Sequence, residues 1–297
     1  MKTKSKIKVS VGERVFDTFN VTLLFLLMVV MLYPMLYVVF ASISNPGELA
    51  AYDGLLYMPR GFSLAAYEAV KNNRMILRGY LNTLIVVVAG TVVNLVMTSL
   101  GAFVLSREGL PYKKYLNLFV TFTMFFGGGL IPTYLVVSDL GMVDKYLALI
   151  LPGAISTYNM MIMRTSFQSI PKSLEESASI DGANELRILF SIILPLSMPV
   201  IAVMLLFYGV GHWNSWFNAV IYLRTRAKYP LQLILREILI EGQEDSMATN
   251  VGSLDKEAIG ETIKYATIVV ATVPILCIYP FLQKYFAKGV MVGAVKE

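Results

Sequence analysis

The chain has one cysteine and one histidine in 297 residues, Cys277 and His212. A disulfide needs two cysteines and a structural zinc site needs four ligands, so this chain alone supplies neither. Charge is scarce as well: Asp, Glu, Lys and Arg together make up 15% of the residues. No Gly-x-x-x-x-Gly-Lys-Ser/Thr occurs, so no loop of that kind cradles nucleotide phosphates. No Gly-x-Ser-x-Gly occurs either, which leaves an intramembrane hydrolase built on His212 and a serine without its nucleophile motif. The net charge of +5 does not point to nucleic acid. Its basic residues flank apolar runs and do not form a patch with interleaved aromatics.

What is present is apolar: 56% of the residues are hydrophobic. Six runs without Asp, Glu, Lys or Arg are long enough to cross a hydrocarbon core, which takes ~20 helical residues. They are Thr18–Gly47, Gly79–Ser106, Tyr115–Ser138, Tyr146–Met163, Ile188–Leu223 and Tyr265–Gln283. A lipid-exposed backbone must satisfy its own hydrogen bonds, and the alternating ten-residue pattern of barrel strands is missing, so these runs predict helices. The fold class is all-α: a polytopic membrane protein of six transmembrane helices, organised as one domain over 1–297. The first run exceeds the core of a removable signal peptide.

The spans contain no Asp or Glu. An ion-coupled secondary carrier, the main rival reading, generally holds ionisable groups within the bilayer. Lys2, Lys4, Lys6, Lys8 and Arg14 crowd the start of the first span. By the positive-inside rule both termini are cytoplasmic. Residues 224–264 then form an outer loop, and 164–195 a cytoplasmic one. The third span carries Gly127-Gly128-Gly129 before Pro132, and the fourth carries Pro152. Kinking and close packing account for such residues, and so does a gate.

The 164–195 loop is patterned. Pro171 blocks helix continuation from upstream, and Ser173 with Glu176 fits a capping box that starts a helix near Leu174. Glu175 and Glu176 suit the positive end of that helix. Gly182 is a poor interior residue and a good bend, after which helix resumes through Asn184–Phe190. Small residues at the corner, Ser177, Ala178, Ser179 and Ala183, would let a partner backbone approach. A helix lying on anionic lipid should be basic on its polar face. This one sets Glu175, Glu176, Asp181 and Glu185 against Lys172 and Arg187. Protein docking is the better expectation.

Glu176-Ser177-Ala178, three residues, Gly182, nine residues, then Ile192-x-Leu194-Pro195 resembles the signature loop of ABC importer permeases, with Ser177 where that family usually has Ala. Asn82-Thr83-Leu84, the run Ala102 to Arg107, and Trp213-Asn214-Ser215-Trp216 are similar to the carbohydrate branch, in particular the shorter permease of maltose-type systems. Phe126 to Tyr134 and Pro230-Leu231-Gln232 look closer to permeases for oligosaccharides and polysaccharide fragments.

The resemblance implies the type I importer architecture. Its partners are a second six-span permease, a dimer of ATPase subunits, an extracytoplasmic solute-binding protein, membrane lipid and a carbohydrate substrate. Glu175, Glu176, Ala178, Asp181, Gly182, Ala183 and Arg187 then form the docking and coupling site. No cofactor is expected on this chain; ATP and magnesium belong to the ATPases, and the chain is not an enzyme. The location implied is a bacterial plasma membrane. An ABC permease for a non-sugar solute is the nearest alternative.

A sugar presents hydroxyls and an apolar CH face, so its path needs aromatic platforms beside hydrogen-bonding groups. Tyr208, His212, Trp213, Asn214, Trp216 and Asn218 supply both types in the outer half of the fifth span. Interfacial aromatic belts and Asn-mediated helix packing explain the same residues. Asn82, Asn94 and Thr98 in the second span are weaker candidates and better read as packing groups.

Overall fold

The computed structural model describes residues 10–241 and 253–294. Lys2, Lys4, Lys6 and Lys8, the 242–252 part of the expected outer loop and the last three residues lie outside the described residues. Within the described residues the chain is helical and contains no strand.

The elements run α1 (Val11–Ser42), α2 (Pro46–Ala50), α3 (Ala65–Asn72) and α4 (Arg74–Ser106). Next come α5 (Lys113–Phe125), α6 (Leu130–Asp139), α7 (Leu147–Ile150) and α8 (Thr157–Gln168). The patterned loop holds α9 (Lys172–Ile180) and α10 (Glu185–Ile188), the latter continuing through a π-helical stretch at Leu189–Ile193 into α11 (Leu194–Leu196). The chain then forms α12 (Met198–Trp213), α13 (Trp216–Tyr222), α14 (Leu231–Glu241) and α15 (Ser253–Ala294).

Helix boundaries follow caps, not the edges of the apolar runs. Helix α1 begins at Val11 because Ser10 and Glu13 close a reciprocal capping box. Helix α4 begins at Arg74, where the Asn73 side chain accepts from the Met75 and Ile76 amides. Charged residues mark where lipid contact starts, but they do not stop a helix.

Three described helices are long and apolar enough to cross a membrane: α1, α4 and the Ile259–Ile278 part of α15. Two bent pairs bring the number to as many as five. Helices α5 and α6 turn by 109° at the glycine run. There Gly129 adopts φ +82°, ψ 179°, a backbone region that a side chain makes costly. The Glu185–Leu196 segment and α12 turn by 87°. Pro195 and Pro199 remove two amide donors at that corner, and the π-helical stretch precedes it. The expected fourth span, Tyr146–Met163, is not one continuous helix: a 3₁₀ turn at Leu151–Gly153, containing Pro152, separates α7 from α8.

The chain divides into two compact units. The first is Met1–Asn72 with Glu244–Val270. It packs Ala41, Leu49 and Leu56 beneath Tyr37, Phe40, Tyr52 and Tyr265. The Tyr37 and Tyr265 rings meet edge to face at 5.7 Å. Outside its last turns, α1 leaves nearly every apolar side chain exposed.

The second unit is Asn73–Gln243 with Ala271–Glu297. Helix α4 is its central rod and packs on α8, α12 and α14. Its lower core joins Phe103, Met160, Met163, Ile188, Leu189, Met204 and Tyr208. Another cluster joins Val86, Val137, Leu149, Tyr222 and Leu233. Lipid tails are as apolar as these side chains, so close packing and interhelical hydrogen bonds must hold the helices together.

Candidate functional site

The patterned loop folds into an elbow. Pro171 sits at the N-cap of α9, so the helix starts one residue ahead of Ser173. This corrects the expected capping box: Ser173 already lies inside the helix, and no side chain caps this end. Proline has no amide to donate, so at the N-cap, just before the first helical residue, it costs the helix no hydrogen bond.

The far end of α9 closes as a Schellman motif. The Ala183 amide donates to the Ala178 carbonyl at 2.9 Å and the Gly182 amide to Ser179 at 3.1 Å, with Gly182 at φ +80°. Two residues later Asn184 caps α10 by accepting from the Arg187 amide at 2.8 Å. The bend expected at Gly182 therefore has a mechanical basis: one helix is stopped and another started within four residues.

The elbow has a back and a front. Ala178 and Ala183 pack toward the chain's own core, beside Ile188 and Leu189. Glu176, Asp181, Gly182 and Arg187 are exposed, and Ile180 stands out at 86% exposure, with Leu174 and Leu186 also exposed. Those apolar front residues were not picked out from sequence, although their spacing around the acidic positions was visible.

Arg107, the C-cap of α4, joins the elbow from behind. Its guanidinium pairs with Glu175 on α9 and, at 2.7 Å, with Glu185 on α10. It also lies 4.0 Å from the centroid of the Phe103 ring. Arg164 donates to the Leu105 carbonyl at 3.1 Å. Three cationic side chains, counting Lys113 on the Ser106 carbonyl at 3.4 Å, thus meet the negative end of the α4 dipole. Lys172 pairs with Glu108 and holds that carboxyl below its usual range.

The aromatic and amide residues of the fifth apolar run do not converge on one point. Tyr208 hydrogen-bonds Thr98 at 2.7 Å and accepts from the Ser156 amide at 3.2 Å. His212 bonds Asn94 at 2.6 Å, and Asn94 donates to the Gly153 and Ala154 carbonyls. Trp213 is buried and meets Tyr80 edge to face. It also lines an apolar cavity of about 730 Å³ with Thr91, Leu95, Phe207, Val210 and Ile275. Asn214, Trp216 and Asn218 are exposed. Trp216 lies under the Arg236 guanidinium at 5.2 Å. Asn82 bonds the Ala227 and Tyr229 carbonyls and the Tyr146 hydroxyl, a packing role.

The family model described as "Binding-protein-dependent transport system inner membrane component" matches residues 113–292, a range that contains the whole elbow. The chain belongs to this family.

Among relatives of this inner membrane component is the polygalacturonan/rhamnogalacturonan transport system permease protein YtcP of Bacillus subtilis (strain 168). It is 44% identical over 96% of this chain and 99% of its own length. Protein LplC of the same organism is 43% identical over 95% of each. A crystal structure of a bacterial ABC transporter involved in the import of the acidic polysaccharide alginate contains a chain similar in fold. Its TM-score is 0.86 at 31% identity, over 95% of this chain and 100% of that one.

In this inner membrane component a second polar knot ties segments far apart in sequence. Asp144, itself at φ +61°, accepts from the Arg224 and Thr225 amides at 3.0 and 2.9 Å, from the Thr225 hydroxyl and from Lys228 at 2.7 Å. Lys228 first, then Thr225, hold its carboxyl far below the usual carboxylate range. Asp144 drew no attention in the sequence, because nothing local marks a partner some eighty residues away.

Proposed function

We propose that this chain is one of two permease subunits of an ATP-driven importer that carries an oligosaccharide across a bacterial plasma membrane by alternating access. Both termini lie inside. Its elbow sits in a groove of a partner ATPase, which binds ATP with magnesium and does the hydrolysis; this chain catalyses no reaction. An extracytoplasmic solute-binding protein delivers the sugar. Glu175, Glu176, Ala178, Asp181, Gly182, Ala183 and Arg187 form the coupling site. Tyr208, His212, Trp213, Asn214, Trp216 and Asn218 lie along the substrate path, with Trp213 at the cavity.

One observation carries the docking role. The front of the elbow exposes acidic and apolar side chains, while its back is held by core packing and by Arg107. A lipid-surface helix would turn basic groups outward. A relative named for polygalacturonan/rhamnogalacturonan transport, and a structural neighbour from alginate import, support a polysaccharide fragment as cargo.

The test is reconstitution of the full complex in liposomes. Glu176→Lys should leave the chain inserted but abolish ATPase association or uncouple hydrolysis from uptake. Wild-type uptake by that variant would end the docking reading. The solute-binding protein that co-purifies should be stabilised thermally by an oligosaccharide; stabilisation only by non-sugar solutes would overturn the cargo assignment.

A further inference from the structure

We infer that Arg107 is a positioning residue for transport: it sets the angle of the elbow against α4, so that the loop and that helix move as one body. The inference rests on the docking role proposed above for the loop.

Three features carry it. First, a single guanidinium bridges both arms of the elbow, Glu175 before the Gly182 corner and Glu185 after it. Either arm alone would leave the corner free to open; an arginine fork reaches both, whereas a lysine ammonium is a single point of charge. Second, Arg107 does not swing freely. Its side chain is 25% exposed and stacks on Phe103, which belongs to the same core cluster as Ile188 and Leu189 at the end of α10. Third, the loop is tied at its upstream end to the same turn of α4, through Arg164 and the Leu105 carbonyl. The upstream end of the loop and both arms of its elbow are thereby referred to one helix.

That helix is one of the three described helices long and apolar enough to cross a membrane. About two and a half to four and a half turns before Arg107, α4 carries Thr98, bonded to Tyr208, then Asn94, bonded to His212 and to the Gly153–Ala154 carbonyls, then Thr91 at the apolar cavity. Side chains bonded across packed helices transmit a displacement instead of absorbing it. Movement imposed on the elbow by an ATPase reaches these contacts only if the elbow cannot flex where it meets α4. Arg107 is the group that stops it flexing.

The experiment uses the complete importer, both permeases with the ATPases and the solute-binding protein, in liposomes. Arg107→Gln should co-purify with the ATPases at wild-type stoichiometry and keep the KM for ATP. Sugar moved per ATP hydrolysed should fall about tenfold, within the usual range of coupling energies. Arg107→Lys and Glu185→Gln remove only part of the bridge and should each lose less. They also serve if Arg107→Gln does not insert. Arg107→Glu combined with Glu175→Arg should recover part of what Arg107→Glu alone loses, an outcome that simple loss of packing does not produce. Wild-type coupling ratios in Arg107→Lys, Glu185→Gln and any inserted Arg107→Gln would overturn the inference. Glu176→Lys in the same assay reports on docking itself: if it leaves association and uptake intact, the docking reading fails, whatever Arg107 does.

Discussion

Asn94 of α4 takes a hydrogen bond from His212 of α12 across 2.6 Å. The direction is settled by the other end of the amide. Both Gly153 and Ala154 offer carbonyl acceptors to Asn94 Nδ2, at 2.6 and 3.0 Å, so Oδ1 must face the imidazole and Nε2 must carry the proton. One side chain therefore joins α4, α12 and the break between α7 and α8.

Replacing Asn94 by Leu should destabilise the protein by about 2 kcal/mol, since two carbonyls and one imidazole lose their partner together. Gly90→Ala should act on the same knot, because a β-carbon there runs into the His212 ring. Thermal unfolding in detergent checks both; unchanged midpoints would show that the knot is not structural.

Gly182→Ala forces a side chain into a left-handed backbone at a cost of about 1–2 kcal/mol. Asn tolerates that region better. Coupling should therefore fall in the order Gly182, Gly182→Asn, Gly182→Ala, with insertion unchanged, as read by uptake per ATP. Equal coupling in all three would mean that the corner has no transport role.

The indole N–H of Trp213 is buried and finds no acceptor among the described residues. Trp213→Phe should accordingly leave the unfolding temperature nearly unchanged. A rise in the KM for uptake with no loss of stability would place that N–H on the substrate, and an unaltered KM would take Trp213 off the path.

Asp144→Asn should lower the unfolding temperature at neutral pH by removing the pair with Lys228. A carboxyl whose pKa is depressed in the folded state stabilises fully above its unfolded value, about 4, and loses that contribution as the pH falls through the lower folded value. The gap between the parent and Asp144→Asn should thus be widest above about pH 4 and narrow only in stronger acid. A gap that widened on acidification would contradict this assignment.

Much of the protein was legible in one dimension. Long uncharged runs require a membrane, and a membrane requires backbones that satisfy themselves, so helices followed directly. The elbow was legible because stop and start signals are local: Pro171, Gly182 and Asn184 act within a turn of where they stand. The expected Ser173 cap failed on an equally local competition, since Pro171 takes the N-cap position two residues earlier. The packing roles of Asn82, Asn94 and Thr98 were anticipated from their residue types, but not their partners.

Sequence alone determined that this chain is a helical membrane protein with a patterned loop, because hydrophobic length and helix-breaking residues act through neighbours in the chain. Only the tertiary structure decided what holds that loop. Arg107 reaches Glu175 and Glu185 across 68 and 78 residues, and Asp144 reaches Thr225 across 81. Such bonds depend on which helix ends meet in space, and pairing over that distance leaves no periodic trace in the sequence. The same limit applies to the turns of 109° and 87°: glycine and proline marked where the backbone breaks, and packing set how far it turns.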